Sequence, residues 1–166
     1  MTPLPPPLGS GEVVFWRLDQ AQFASQWDSG DGSFRAGGRW NRRGTRAVYA
    51  ALDPATAILE VAVHVGFAAL DRVAHVLTSA RLTDPRRARV VPPGAVPEQN
   101  WLRPGLVSAG QQAFGNGLLA AHDLVLMPSV VSAHSWTMVF DPSRATGLYA
   151  LLEQEAFTLD PRLSLP

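Results

Sequence analysis

The sequence predicts a single α+β domain, and three observations carry that prediction. Short apolar runs with strand character recur at residues 13–18, 47–52, 74–78, 124–127 and 136–140. Two capped helical stretches lie among them, one opening at Asp53-Pro54 and one after Ser108. The two kinds of element mix without the regular strand–helix–strand alternation of a parallel sheet, which separates α+β from α/β. At 166 residues the chain is long enough for one substantial core, and it contains no internal repeat.

Residues 1–11, Met-Thr-Pro-Leu-Pro-Pro-Pro-Leu-Gly-Ser-Gly, hold four prolines, so an extended, flexible leader is expected, leaving 12–166 as the domain. The first strand carries Arg17 in an apolar run, where a charge is costly unless it is paired or reaches solvent. Asp19 reads as the cap of a short helix through Trp27, and residues 29–33 as a flexible turn. The next stretch, Gly37-Gly38-Arg39-Trp40-Asn41-Arg42-Arg43-Gly44-Thr45-Arg46, is too polar to build a core. Its glycines let backbone pass close to a ligand, and Arg39 offers a fork of donors suited to phosphate or carboxylate. The strand that follows ends this loop.

Asp53 as cap, Pro54 at the first helical position and Gly66 after the last turn predict a helix through Val65, with Ile58, Leu59, Ala62 and Val65 as its apolar stripe. Glu60 stands four residues before His64, so the pair shares a face. The strand brings Tyr49 one way and the helix returns Glu60 beside it. Residues 83–105 read as a proline-punctuated loop without a clear element. Ser108 caps a helix over 109–121, interrupted by Gly115 and Gly117. A short buried strand then ends at Pro128-Ser129, another is closed by Asp141-Pro142, and a last one is expected near 156–158.

Composition excludes several chemistries. There is no cysteine, hence no disulfide, thiolate metal site or cysteine nucleophile. The four histidines lack metal-ligand spacing, so no metal is expected. A hydrolase elbow, a phosphate loop and paired glycosidase carboxylates are absent. Zero formal net charge argues against non-specific grip on nucleic acid. No apolar run reaches membrane-spanning length, and the start lacks a signal peptide's pattern, so a cytoplasmic location is expected. What remains is two arginines, a tyrosine, a glutamate and a serine near strand ends. Arginines bind diphosphates, a tyrosine face packs on a planar ring, and a carboxylate stabilises positive charge developing at a sugar carbon. That set suits cleavage of a dinucleotide such as NAD, without being specific to it.

The series Trp16-Arg17, Gly38-Arg39-Trp40-Asn41 with Gly44, Val48-Tyr49-Ala50, Ala57 and Glu60, Met127-Pro128-Ser129 and Asp160-Pro161-Arg162-Leu163 resembles the RES-domain family across residues 13–163. The resemblance implies an ADP-ribosyltransferase-like fold of mixed sheets with flanking helices. It also implies the toxin of a bacterial toxin–antitoxin pair, which cleaves NAD+ as its substrate and passes ADP-ribose to a protein target or to water. The implied partner is an Xre-like antitoxin with a helix-turn-helix domain, whose C-terminal part blocks the pocket. Carried over, Arg17 and Arg39 hold the diphosphate and ribose side, Tyr49 packs on nicotinamide, Glu60 is catalytic together with Arg39, Ser129 lines the pocket, and Trp40 and Asn41 shape the NAD-binding loop. This chain departs from the family pattern at Thr137 and Asp141, where an asparagine and an Asn-Pro are usual. Those departures leave open an alternative, a catalytically degenerate NAD-binding module that acts through its antitoxin complex.

Overall fold

The structure is a computed structural model that describes residues 12–163. The proline-rich leader, residues 1–11, lies outside them. Strand β1 (Val14–Gln20) pairs on one side with β2 (Val48–Ala51) and on the other with β3 (His75–Leu82). Further on, β4 (Ala88–Val90), β5 (Leu124–Pro128), β6 (Trp136–Phe140) and β7 (Tyr149–Phe157) complete one seven-stranded sheet in the order β4-β5-β6-β2-β1-β3-β7. Only β4 and β5 run parallel, so the sheet is mixed, and the domain is α+β as the sequence predicts. The expected mixed sheets are one continuous sheet.

Alternation along the central strands sends side chains to two cores. Leu124, Leu126, Met138 and Phe140 join Phe15, Trp27 and Val48 on one side. Val125, Met127 and Val139 join Trp40, Trp101 and Leu119 on the other. Every residue of β5 and β6 is buried, which is why both read as plain apolar runs. A third cluster, Leu18, Ala62, Leu70, Leu77 and Leu159, seats helix α2 (Pro54–Val65) and helix α3 (Phe67–Arg72).

The α2 boundaries match their sequence signals. Asp53 accepts the Thr56 N–H at 2.8 Å, Pro54 opens the first turn, and Gly66 follows the last at φ 80°. Its buried residues are Thr56, Ala57 and Ala62, whereas Val65, expected in the stripe, is exposed. Helix α4 (Ala109–Ala121) is capped by Ser108, whose hydroxyl accepts the Gln111 N–H, and runs unbroken through both glycines.

Several expectations need correction. Asp19 does not cap a helix: β1 continues through Gln20, held by pairing with β3, and a 3-10 turn over Ala21–Gln26 follows. Residues 29–33 are not a flexible turn, because Asp31–Ala36 forms a short helix, α1, entered through Gly30 in the left-handed region. Ser33 ties it down, its hydroxyl donating to the Ala47 carbonyl and accepting the Ala47 N–H. The 83–105 stretch contains β4 and three 3-10 turns, too short to show a period. Strand β7 spans nine residues rather than a few around 156–158, and helix α3 was not anticipated. No helix among the described residues is long and apolar enough to cross a membrane.

Gly115 sets the distance between α4 and the Arg39–Arg42 loop. A Cβ there would stand 2.0 Å from the Trp40 carbonyl oxygen, a backbone atom that cannot swing aside, whereas at Gly117 nothing lies within 4 Å. Gly115→Ala is therefore expected to destabilise the fold by about 2–3 kcal/mol, as an overpacked core does. Gly117→Ala is expected to be neutral or to stabilise by up to about 1 kcal/mol through helix propensity. Urea unfolding of the two variants checks the pair.

Candidate active site

Strands β1 and β2, helix α2, the loop after α1 and the turn between β5 and β6 enclose a cavity of about 450 Å³, a size typical of small-ligand sites. Arg17, Arg39, Trp40, Tyr49 and Glu60, all singled out in the sequence, are on its wall. So are Thr137 and, one turn beyond Glu60, His64.

The loop is held by the Tyr49 hydroxyl. It accepts the Trp40 N–H at 3.0 Å and donates to Asn41 Oδ1 at 2.6 Å. Asn41 is fully buried, and its Nδ2 donates to the carbonyls of Ser33, Arg42 and Thr45. Its amide is thus spent on the loop's own backbone. Asn41, expected among the NAD-binding residues, lies off the cavity wall and shapes the loop from beneath. Gly38 is required by the same lock, since a Cβ there would fall 2.6 Å from the Tyr49 hydroxyl and 2.7 Å from Asn41 Oδ1. Trp40 is buried and meets Phe114 of α4 edge-on.

Arg17 is paired rather than merely reaching for solvent. Its Nε and Nη2 donate to the two Asp19 oxygens at 2.8 and 2.7 Å, and Nη1 donates to the Tyr49 carbonyl at 2.7 Å. Asp19 therefore balances the charge that strand β1 carries into the cavity. Arg39 has no carboxylate partner among the described residues. Among the described residues it makes one hydrogen bond, a long 3.5 Å contact to the Gly105 carbonyl. Partial burial lowers its pKa from the ordinary arginine value, opposed by the fields of Glu60 and Tyr49. It remains a cation, with most of its donors available.

Glu60 projects from α2 to the far wall. Its Oε1 accepts the Ser129 hydroxyl at 3.1 Å and the Thr137 hydroxyl at 3.4 Å. Its Oε2 has no hydrogen-bond partner among the described residues. Ser129, expected to line the pocket, is instead buried behind the carboxylate, its oxygen also accepting the Ser132 N–H. Asp141, the other departure noted in the sequence, is off the wall and closes the turn after β6 by accepting the Ser143 N–H and hydroxyl.

Sequence reasoning missed the pairing of Asp19 with Arg17 and the contact of Thr137 with Glu60. The first had a signal, since residues two apart on a strand share a face. The second spans 77 positions and had only one hint, a hydroxyl inside an otherwise apolar strand. Val107, Val130 and Val131 are also on the wall, without any signal of their own.

The tyrosines tie the fold to alkaline pH. Loss of water pushes the Tyr49 hydroxyl well above its usual range, although the Trp40 N–H and Arg39 pull the other way. Tyr149 is pushed up by burial and then by the Asp28 carboxylate that its hydroxyl donates to. An unfolded tyrosine loses its proton at about pH 10, so above that pH the folded state holds more protons and stability falls as pH rises. Ultraviolet titration is expected to show no tyrosinate at about pH 11 while the fold is intact, the signal appearing with alkaline unfolding. Tyrosinate formed near the usual pH in folded protein would contradict this.

Known proteins resemble this chain over most of its length. The RES domain profile matches residues 14–160. A Pseudomonas putida protein named Toxin Res is 30% identical over 157 residues, covering 91% of this chain and 99% of its own. A Sphingobium protein named Prs ADP-ribosylating toxin is 30% identical over 159 residues, covering 90% and 95%. In structure the chain is similar to one in the crystal structure of the M. tuberculosis MbcT–MbcA toxin–antitoxin complex, with a TM-score of 0.74 over 93% of this chain and 90% of that one. At 23% identity that last likeness is one of fold. With a family profile spanning residues 14–160, this chain belongs to the RES domain family.

Proposed function

We propose that this chain is the toxin of a toxin–antitoxin pair and that it consumes NAD+, breaking the bond between nicotinamide and ribose and passing ADP-ribose to a protein or to water. One observation carries the reading: a single cavity holds a carboxylate with one oxygen engaged and one free, facing an arginine without an acid partner. The names of the two relatives, a Toxin Res and a Prs ADP-ribosylating toxin, support it.

In this reading Glu60 Oε2 accepts a hydrogen bond from the nicotinamide ribose. The carboxylate charge stabilises the positive charge that develops at the sugar carbon as nicotinamide leaves as a neutral base. Arg39 receives the diphosphate with the donors its surroundings leave free. Arg17, its charge balanced by Asp19, is on the same wall and holds the Tyr49 carbonyl rather than adding net charge. The Tyr49 hydroxyl is bonded twice, so the residue offers its ring rather than its oxygen, as packing against nicotinamide requires. The partner is an Xre-like helix-turn-helix antitoxin that covers the cavity mouth, and the site of action is the cytoplasm.

The alternative, a degenerate binding module, draws on Thr137 and Asp141. Asp141 stands off the wall and Thr137 supports the carboxylate, so neither position favours it.

Nicotinamide release from NAD+ tests the proposal. Glu60→Gln, which keeps side-chain volume, is expected to lower release by about 100-fold or more, with an unchanged unfolding temperature. Release at the wild-type rate by Glu60→Gln would refute the mechanism. Release by pure protein assigns water as acceptor, whereas a labelled band that needs bacterial lysate assigns a protein. No release in either setting would favour the binding module.

A further inference from the structure

The hydroxyl of Thr137 has no packing reason to be where it is. All five residues of β6 are buried, and its neighbours along the strand are Trp136, Met138, Val139 and Phe140. Across the sheet it stands opposite Ala51 of β2 and Met127 of β5, neither of which offers a side-chain oxygen or nitrogen. Valine has the same shape and would fill this place without burying a hydroxyl, which is unfavourable unless the group is bonded. The bond that Thr137 makes is to Glu60 Oε1.

Ser129 donates to the same oxygen from the end of β5. The last torsion of a glutamate is soft and broad, so a single donor leaves the carboxylate free to swivel. Two donors converging on Oε1 from two strands hold its plane, and Oε2 then faces the cavity.

We propose that Thr137 is a positioning residue, whose hydroxyl fixes the carboxylate of Glu60 so that Oε2 is the oxygen presented to substrate. The proposal rests on the reading of Glu60 as the acting carboxylate. It assigns a role within the site to a strand residue that touches no ligand in that reading.

Thr137→Val and Thr137→Ser test it in the full chain. The valine variant is expected to fold with an unfolding temperature no lower than wild type. Its kcat for nicotinamide release is expected to fall about tenfold, the loss of one hydrogen bond to a charged group, with KM for NAD+ within about twofold. Serine restores the hydroxyl without the methyl and is expected to recover most of kcat. A second readout needs no turnover: carboxyl-labelled glutamate NMR at fixed pH, where the glutamates are Glu12, Glu60, Glu98, Glu153 and Glu155 and Glu60→Gln identifies the signal. The Glu60 signal is expected to move in Thr137→Val and to return in Thr137→Ser. A valine variant with wild-type kcat, an unmoved Glu60 signal, or a serine variant as impaired as valine would each overturn the proposal. If the wild type releases no nicotinamide, the NAD+-cleaving reading fails on its own, and the Glu60 signal still decides whether Thr137 holds the carboxylate.

Discussion

The hydroxyl of Tyr49, caught between the Trp40 N–H and Asn41 Oδ1, is the interaction on which the rest of the site depends. It fastens an arginine-rich loop to a central strand of the sheet. Through Asn41 it gathers the carbonyls of Ser33, Arg42 and Thr45, and so closes the loop on itself. From its backbone carbonyl it holds Arg17, so the same residue locates an arginine on β1 and the loop that carries Arg39. Gly38 and Gly115 follow from it, because a locked loop leaves no room for a Cβ at either place. The consequence is a site built on strands and one helix before any ligand arrives, the condition under which electrostatic catalysis costs no reorganisation.

The charges of the cavity are arranged unequally. Arg17 is neutralised by Asp19, while Arg39 has only a long contact to the Gly105 carbonyl. Glu60 is held on one oxygen and open on the other. Groups left under-partnered in a partly dry cavity raise the cost of the folded state, and that cost falls when a ligand of matching charge binds. On the cavity wall, Val63 and Val107 are exposed apolar residues, as befits a surface that meets a ligand or partner chain.

Much of this was legible in the sequence, for physical reasons that differ by element. Helix α2 announced itself because Asp53, Pro54 and Gly66 each satisfy a backbone requirement at a helix end. Strands β5 and β6 were plain because full burial favours apolar runs, interrupted in β6 by Thr137 alone. Strand β7 was not, because Leu151 to Ala156 are exposed and the strand is held by backbone pairing with β3, which leaves no pattern in side chains. Strand β4 is three residues at the sheet's other edge and had no period to show. Asp19 misled because a capping acid and a strand-borne counter-ion look alike until the partner of Arg17 is known. Within the site, residue types pointed to Arg39, Tyr49 and Glu60, but spacing could not separate the wall from its backing. Asn41 and Ser129 turned out to hold other residues, and Thr137, noted as a departure, touches the carboxylate itself.

The central claim is that this cavity receives NAD+ with its nicotinamide ribose against residue 60 and its diphosphate against Arg39. The most direct test is a crystal structure of Glu60→Gln soaked with NAD+, a variant expected to bind the dinucleotide without consuming it. The account expects an intact dinucleotide with the nicotinamide ring on Tyr49, a ribose hydroxyl at the side chain of residue 60, and the phosphates at Arg39. A dinucleotide bound away from these residues, or a cavity that stays empty at saturating NAD+, would contradict it.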